Sequence, residues 1–198
     1  MSGAARGDLQ LRVATSLAAV PAAAWNACAN PHALRDVLAS TSGSASAPEA
    51  APDAIDTDNP FVSHAFLRAL EESGCVGGRS GWSPAYLLVE DGAGRLLAAA
   101  PSFLKSHSQG EYVFDHAWAD AYERAGGNYY PKLQVAAPFT PATGPRLLVA
   151  DGPEAEEARP MLVAGLEALR DQAQASSVHV TFAQEPDVAT LATAGYVE

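Results

Sequence analysis

Lysine is almost missing from this chain: its 198 residues include only Lys105 and Lys132. Basic residues number 12 against 23 acidic ones, for a formal net charge of −11. Such a surface repels nucleic-acid phosphate and excludes a nonspecific DNA or RNA binder, while a local basic site inside the acidic shell stays open. Cysteine is scarce as well. Cys28 and Cys75 stand far apart without metal-ligand spacing. Two isolated thiols fit a reducing compartment, one disulfide being the other option. Long apolar runs are lacking, so nothing matches the roughly 20 residues a membrane span needs. The opening residues, MSGAARGDLQLRV, have no apolar stretch of the signal-peptide kind. These absences lead us to expect a soluble cytoplasmic protein. A glycine-rich phosphate loop, a GxSxG elbow and HExxH are also absent, and no serine stands in a triad-like context. A hydrolase therefore has little support.

What is present suits one globular domain: 48% of the residues are hydrophobic and 18% charged. Residues 9–17, with alternation at Leu9, Leu11 and Val13, read as a first strand, and Pro21 opens an alanine-rich helix. Residues 41–58, rich in Ser, Ala, Pro and Asp, read as a mobile loop. A helix follows over 63–73, with Ser63 as its cap and Gly74 as its stop. Residues 86–90 and 95–101 form a hairpin around Asp91-Gly92. Gln109-Gly110 marks a second turn, between strands at 102–106 and 111–114. A helix over 117–125 ends at Gly126-Gly127. Strands at 133–137 and 146–149 flank PFTPATGP, whose prolines force a bend or bulge. A long helix over 154–175, a buried strand over 178–182 and a helix over 186–194 complete the order. The pattern is α+β: a mixed, largely antiparallel sheet with helices packed on it. The chain stops where another strand is expected, so we expect a single domain over 1–198 whose sheet lacks its last strands.

Side chains that are costly to hold unless paired or used concentrate in residues 101–149. On a helix beginning near Asp115, His116 and Asp120 share one face. A carboxylate beside an imidazole suits a general base, with Asp115 or His116 in that role. The competing reading is an N-cap aspartate with a hydrogen-bonded, partly buried histidine. Lys105 and His107, at a strand end, suit an anion site or a solvated end. Tyr129, Tyr130 and Lys132 join aromatic faces to a cation, as does Trp118 nearby, and can grip a sugar, a base or a peptide. Packing at a sheet edge is the alternative for the tyrosines. Thr140, Thr143 and Arg146 surround the bent strand next to Gly144, where Arg146 can clamp a phosphate or carboxylate. A metal centre built from His107, His116 and Asp120 is a weaker option, without a recognisable third spacing.

At these residues the chain resembles a known family. NPFVSHAFLRALEESG, residues 59–74, and LKSHSQGEYVFDHAWADAYERAGGNYYPKLQVAAPFTPATGPRLL, residues 104–148, are similar to the FemAB-like predicted N-acyltransferases of bacteria. Those proteins are similar to the FemABX peptidyltransferases, which add amino acids from aminoacyl-tRNA to the peptide of a peptidoglycan precursor. The resemblance implies one GNAT-like (acetyltransferase-type) half of a tandem pair, this chain being the N-terminal half. It implies a small-molecule or peptidoglycan-precursor acceptor, and aminoacyl-tRNA or acyl-CoA as the acyl donor. The connection Ala150-Asp151-Gly152-Pro153-Glu154-Ala155-Glu156-Glu157 is acidic where an acetyl-CoA enzyme grips pyrophosphate. We therefore expect no CoA, and no metal, in this half. The alternative to catalysis is an acceptor-recognition domain whose chemistry lies elsewhere. An unfinished sheet also leaves an open edge through which two copies can pair.

Overall fold

The computed structural model describes residues 9–31, 58–153 and 155–197. Its strands read YLLVE and LLAAA rather than alternating apolar with polar, because these strands are covered on both faces. β3 (Tyr86–Glu90) pairs antiparallel with β1 (Gln10–Ala14) and β4 (Leu96–Ala100), and β4 pairs with β7 (Leu148–Val149), giving the order β1-β3-β4-β7. The second sheet runs β2-β5-β6-β8, from β2 (Trp82–Pro84), β5 (Ser102–Lys105), β6 (Lys132–Val135) and β8 (Val178–Val180). All its pairs are antiparallel except β6 with β8. The single sheet read from the sequence is thus two four-stranded sheets. Only Ala85 separates β2 from β3 and only Pro101 separates β4 from β5, so two long strands bend and pass from one sheet to the other. Proline has no N–H for a ladder bond, which favours the break at Pro101.

Among the described residues, five helices cover this ribbon: α1 (Ala22–Ala29), α2 (His64–Glu72), α3 (His116–Arg124), α4 (Ala155–Gln172) and α5 (Glu185–Thr193). Tyr86, Leu88 and Ala99 face a core with Trp25, Val62 and Leu67, while Leu87, Val89 and Ala98 face Leu162 and Leu166 of α4. The result is three layers. The small side chains of β4 let both helical layers approach, and Gly165 lets α4 lie close on β1 and β3: a Cβ there would lie 2.8 Å from Leu11 and Leu87.

Local signals explain the helix ends. Ser63 Oγ accepts the Phe66 N–H at 3.2 Å, the predicted cap of α2. Gly74, with φ +74°, turns the chain away. Glu71 ties α2 to the sheet by accepting from Ser16 Oγ at 2.6 Å, the Leu17 N–H at 2.9 Å and Tyr86 OH at 2.9 Å.

Several expectations need correction. Residues 111–114 form no strand; β5 pairs instead with β6, and the intervening chain carries α3. The strand expected over 178–182 is shorter, and it is half-buried at a sheet edge rather than enclosed. The first strand stops at Ala14 because Ser16 caps a short 3-10 turn, accepting the Ala18 N–H at 3.1 Å. Up to residue 57, the loop expected over 41–58 lies outside the described residues. Among the described residues, no helix is long and apolar enough to cross a membrane.

Candidate functional site

A cleft of about 420 Å³ opens between α3, the segment behind it and the start of β8; Asp115, Trp118, Tyr122, Tyr129, Ser176, Ser177 and His179 line it. Local sequence sets each wall. Trp118 and Tyr122 lie one turn apart on the exposed side of α3, and Trp118 is 74% exposed. Gly126 has φ +87° and ends the helix. At Gly127 a Cβ would come within 2.3 Å of the Tyr122 ring, so glycine lets that ring lie flat on the backbone. Tyr129 then packs edge-on against Tyr122, Tyr130 and His179, with ring centroids 6.1, 5.0 and 6.2 Å away.

Behind this wall lies a buried charge network. Lys105 and Lys132 are paired across β5 and β6, both shielded from solvent. Lys132 Nζ donates to Glu111 Oε2 at 2.6 Å and to Asp115 Oδ2. Lys105 Nζ lies 3.7 Å from Glu111 Oε1, donates to the Gln109 carbonyl at 3.1 Å and sits 3.7 Å from the Trp82 ring centroid. Two cations and two carboxylates balance, as a buried set must. Burial lowers the Lys105 pKa to about 8, against the raising pull of Glu111. Burial likewise pushes the Glu111 carboxyl above its usual range, although both lysines oppose this. Asp115 joins the network to the cleft, because it also lines that cleft beside Tyr129; desolvation, then the negative charge of Asp115, raises the Tyr129 pKa.

On the facing wall, Ser177 Oγ and His179 Nε2 are 2.8 Å apart. Ser177 immediately precedes β8 and His179 is its second residue, two positions on. Desolvation, and then the positive charge of Lys132, lowers the pKa of His179 below the usual histidine value, while Asp115 pulls weakly the other way. The imidazole is therefore neutral at pH 7 and able to take a proton. Ser176 Oγ donates to the Tyr129 carbonyl and lies 3.2 Å from Ser177 Oγ.

The structure brings some of the expected residues together and disperses others. Asp115, Trp118 and Tyr129 line the cleft, with Lys132 directly behind Asp115 and Tyr130 against Tyr129. His116 does not line it. It is exposed and stacks on Phe114 at 5.8 Å; it does share the solvent face of α3 with Asp120, four residues on, but that face lies away from the cleft lining, and the partly buried histidine is not realised. Asp115 precedes α3 but its side chain makes no cap bond, being turned to Lys132 instead. His107 packs over Gly81, where a Cβ would meet its ring at 2.1 Å. Thr140 Oγ1 donates to the Pro138 carbonyl at 3.1 Å, and Thr143 is exposed beside Asn59.

Arg146 is buried, and its guanidinium donates to the Thr181, Pro145 and Ala142 carbonyls at 2.9, 3.0 and 2.7 Å. It staples the bent chain between β6 and β7. All three cations expected to hold an anion thus have partners within the fold. Among the described residues, no group of three side chains could hold a metal ion.

Sequence reasoning missed Ser176, Ser177 and His179. The only trace is the polar SS-H alternation leading into β8, which gains meaning once β8 is known to run beside β6.

No curated protein and no solved structure matches the chain. The FemAB-like family model, described as peptidoglycan biosynthesis/recognition, matches residues 16–198. That match takes in the cleft, the charge network behind it and every strand of both sheets except β1, and the chain belongs to the FemAB-like family.

Proposed function

We propose that the chain is the acceptor-binding half of an N-acyltransferase, acting on an amine of a peptidoglycan-related acceptor. The observation that carries this reading is the convergence of His179, Asp115, Tyr129 and two serine hydroxyls on one cleft with an aromatic rim. Attack of an amine on an activated acyl carbon needs a base for the amine proton and donors for the developing oxyanion. His179 takes the base role that the sequence suggested for Asp115 or His116. Asp115, held by Lys132, and Tyr129 fix the cleft wall, while Trp118 and Tyr122 offer flat faces to the acceptor. The acyl donor is aminoacyl-tRNA or an acyl-CoA. The test is amine acylation by the full-length protein: H179A should lower kcat by 10²-fold or more, in the usual range for a general base. H116A should leave it unchanged. Equal rates for H179A and wild type would remove the assignment.

A second reading, acceptor recognition without chemistry in this chain, is favoured by one observation. The connection entering α4 is acidic, and Asp151 lines a separate cavity of about 430 Å³ beside Arg159. Arg159 donates to the buried Asp187 at 2.6 Å, so that cation already has an anionic partner. Precursor binding with no turnover by this chain would support recognition, and turnover by it would defeat this alternative.

Dimerisation fits the same picture. Among the described residues β8 pairs with β6 alone, and its outer backbone is available to a second copy. A monodisperse monomer on sizing would end that idea.

A further inference from the structure

We propose that Ser177 is an acyl-carrying nucleophile, so that transfer in this cleft proceeds in two steps through an acyl-serine. The inference rests on the acyltransferase reading of the same cleft, and it adds a covalent intermediate to that reading.

The hydrogen-bond inventory of the cleft supports it. Each serine hydroxyl has one proton to give. Ser176 gives its proton to the Tyr129 carbonyl, so it can accept from Ser177 at 3.2 Å but cannot donate to it. Ser177 thus has two acceptors in reach, Ser176 Oγ at 3.2 Å and, at the shorter distance of 2.8 Å, His179 Nε2. In the Nδ1-protonated tautomer the serine donates to Nε2 and its oxygen lone pairs stay free for attack. Nucleophile and base then lie within the distance that proton transfer requires. Both border a cleft with room for a substrate, and both are only half-buried. His179 is in register with Gln134 of β6, and the Ser177 carbonyl just before β8 accepts the Leu133 N–H at 2.9 Å, which limits their relative motion. His179 is further fixed by the Tyr129 ring standing edge-on to it.

The chemistry closes without a further reagent. Ser177 Oγ attacks the carbonyl carbon of an activated acyl ester, and its proton passes to His179 Nε2. The bond to the leaving alcohol breaks, and His179 returns the proton to that oxygen. An amine then attacks the acyl-serine, gives its proton to His179, and leaves as the amide while Ser177 Oγ recovers a proton. No electron transfer is involved. The substrate class for the first step is an ester whose leaving group is better than serine itself.

The test uses a fluorophosphonate, in which the serine oxygen displaces fluoride and forms a P–O bond. The intact chain is incubated with this probe and digested, and the labelled peptide is identified by mass spectrometry. We expect one major label, on Ser177, absent in S177A and formed at least 10-fold more slowly in H179A. S177A should keep the wild-type melting temperature. S177C provides a second check, because its thiol should react with iodoacetamide faster than the exposed Cys75. A folded wild-type chain left unlabelled at Ser177 would overturn the proposal, as would S177A with undiminished amine acylation. The label requires no acceptor amine. Labelling of Ser177 without any amine transfer would therefore support the nucleophile while defeating the acyltransferase reading.

Discussion

Lys105 and Lys132 stand directly opposite each other in the antiparallel pair β5–β6, and neither ammonium group reaches solvent. Like charges opposite one another across a strand pair are destabilising. Here Glu111 lies between them, Asp115 completes the neutralisation, and the Trp82 ring covers Lys105. A chain that places both of its lysines at one buried locus has concentrated there the residues most sensitive to substitution.

Replacing Lys132 by Met should therefore destabilise the protein by about 3–5 kcal/mol, the cost of leaving buried carboxylates without their cation. The deficit should shrink on acidification, because Glu111, whose carboxyl burial already holds above its usual range, then takes up a proton and needs no cation. Urea denaturation of wild type and K132M at pH 5 and pH 8 tests both statements. A loss within 0.5 kcal/mol at pH 8, the usual scatter of surface substitutions, would mean that the network is not closed as described.

Arg146 distinguishes a clamp for ligands from a clamp for the chain. Its guanidinium donates to three carbonyls around the bend, and Asp187 accepts the Arg146 N–H at 2.6 Å. R146A should cost roughly 3 kcal/mol or more through the carbonyls it leaves unpaired and the packing it removes. Precursor affinity measured well below the melting temperature should stay unchanged. A stable R146A protein that no longer binds would restore the ligand role that the sequence suggested.

Acid should weaken the fold in two separate windows. The pKa of His179 is depressed by burial and by Lys132, so the unfolded chain binds its proton more readily than the folded one. Stability carried by the neutral imidazole is present above about pH 6.5 and falls as the pH drops toward the folded value. For Glu71, burial opposes ionisation, yet donors from Ser16, Leu17, Tyr86 and Arg68 hold its pKa below the usual range. Its contribution is present above the unfolded carboxylate pKa and disappears below it. Melting temperature against pH should therefore lose its upper slope in H179F and its lower slope in E71Q. Curves parallel to wild type would contradict these assignments.

The fold was legible wherever one local signal decided the outcome. Ser63 and Gly74 bounded α2, Asp91-Gly92 closed the β3–β4 hairpin, and Gly126-Gly127 stopped α3. The FemAB-like resemblance carried by residues 59–74 and 104–148 agrees with the family match. The cleft was only half legible. Asp115, Trp118 and Tyr129 lie close in sequence and drew attention as a cluster. Ser177 and His179 come from the entry into a strand more than 40 positions later, and only the parallel pairing of β6 with β8 brings them alongside. His116 drew attention through its neighbours in sequence, but the turn into α3 points it at Phe114. Arg146 and the two lysines read as ligand-binding charges because sequence cannot show that a cation's partners are already inside the fold.

The most direct test of the central claim, that the cleft receives the acceptor, uses the chain's three tryptophans. Trp25 and Trp82 are buried, whereas Trp118 is 74% exposed on the cleft wall, so a ligand entering there reports selectively through Trp118. Titration with a peptidoglycan nucleotide precursor should quench or blue-shift the emission in a saturable way, and W118F should abolish the change while keeping the wild-type melting temperature. A saturable change of equal size in W118F, or none in wild type, would contradict the account.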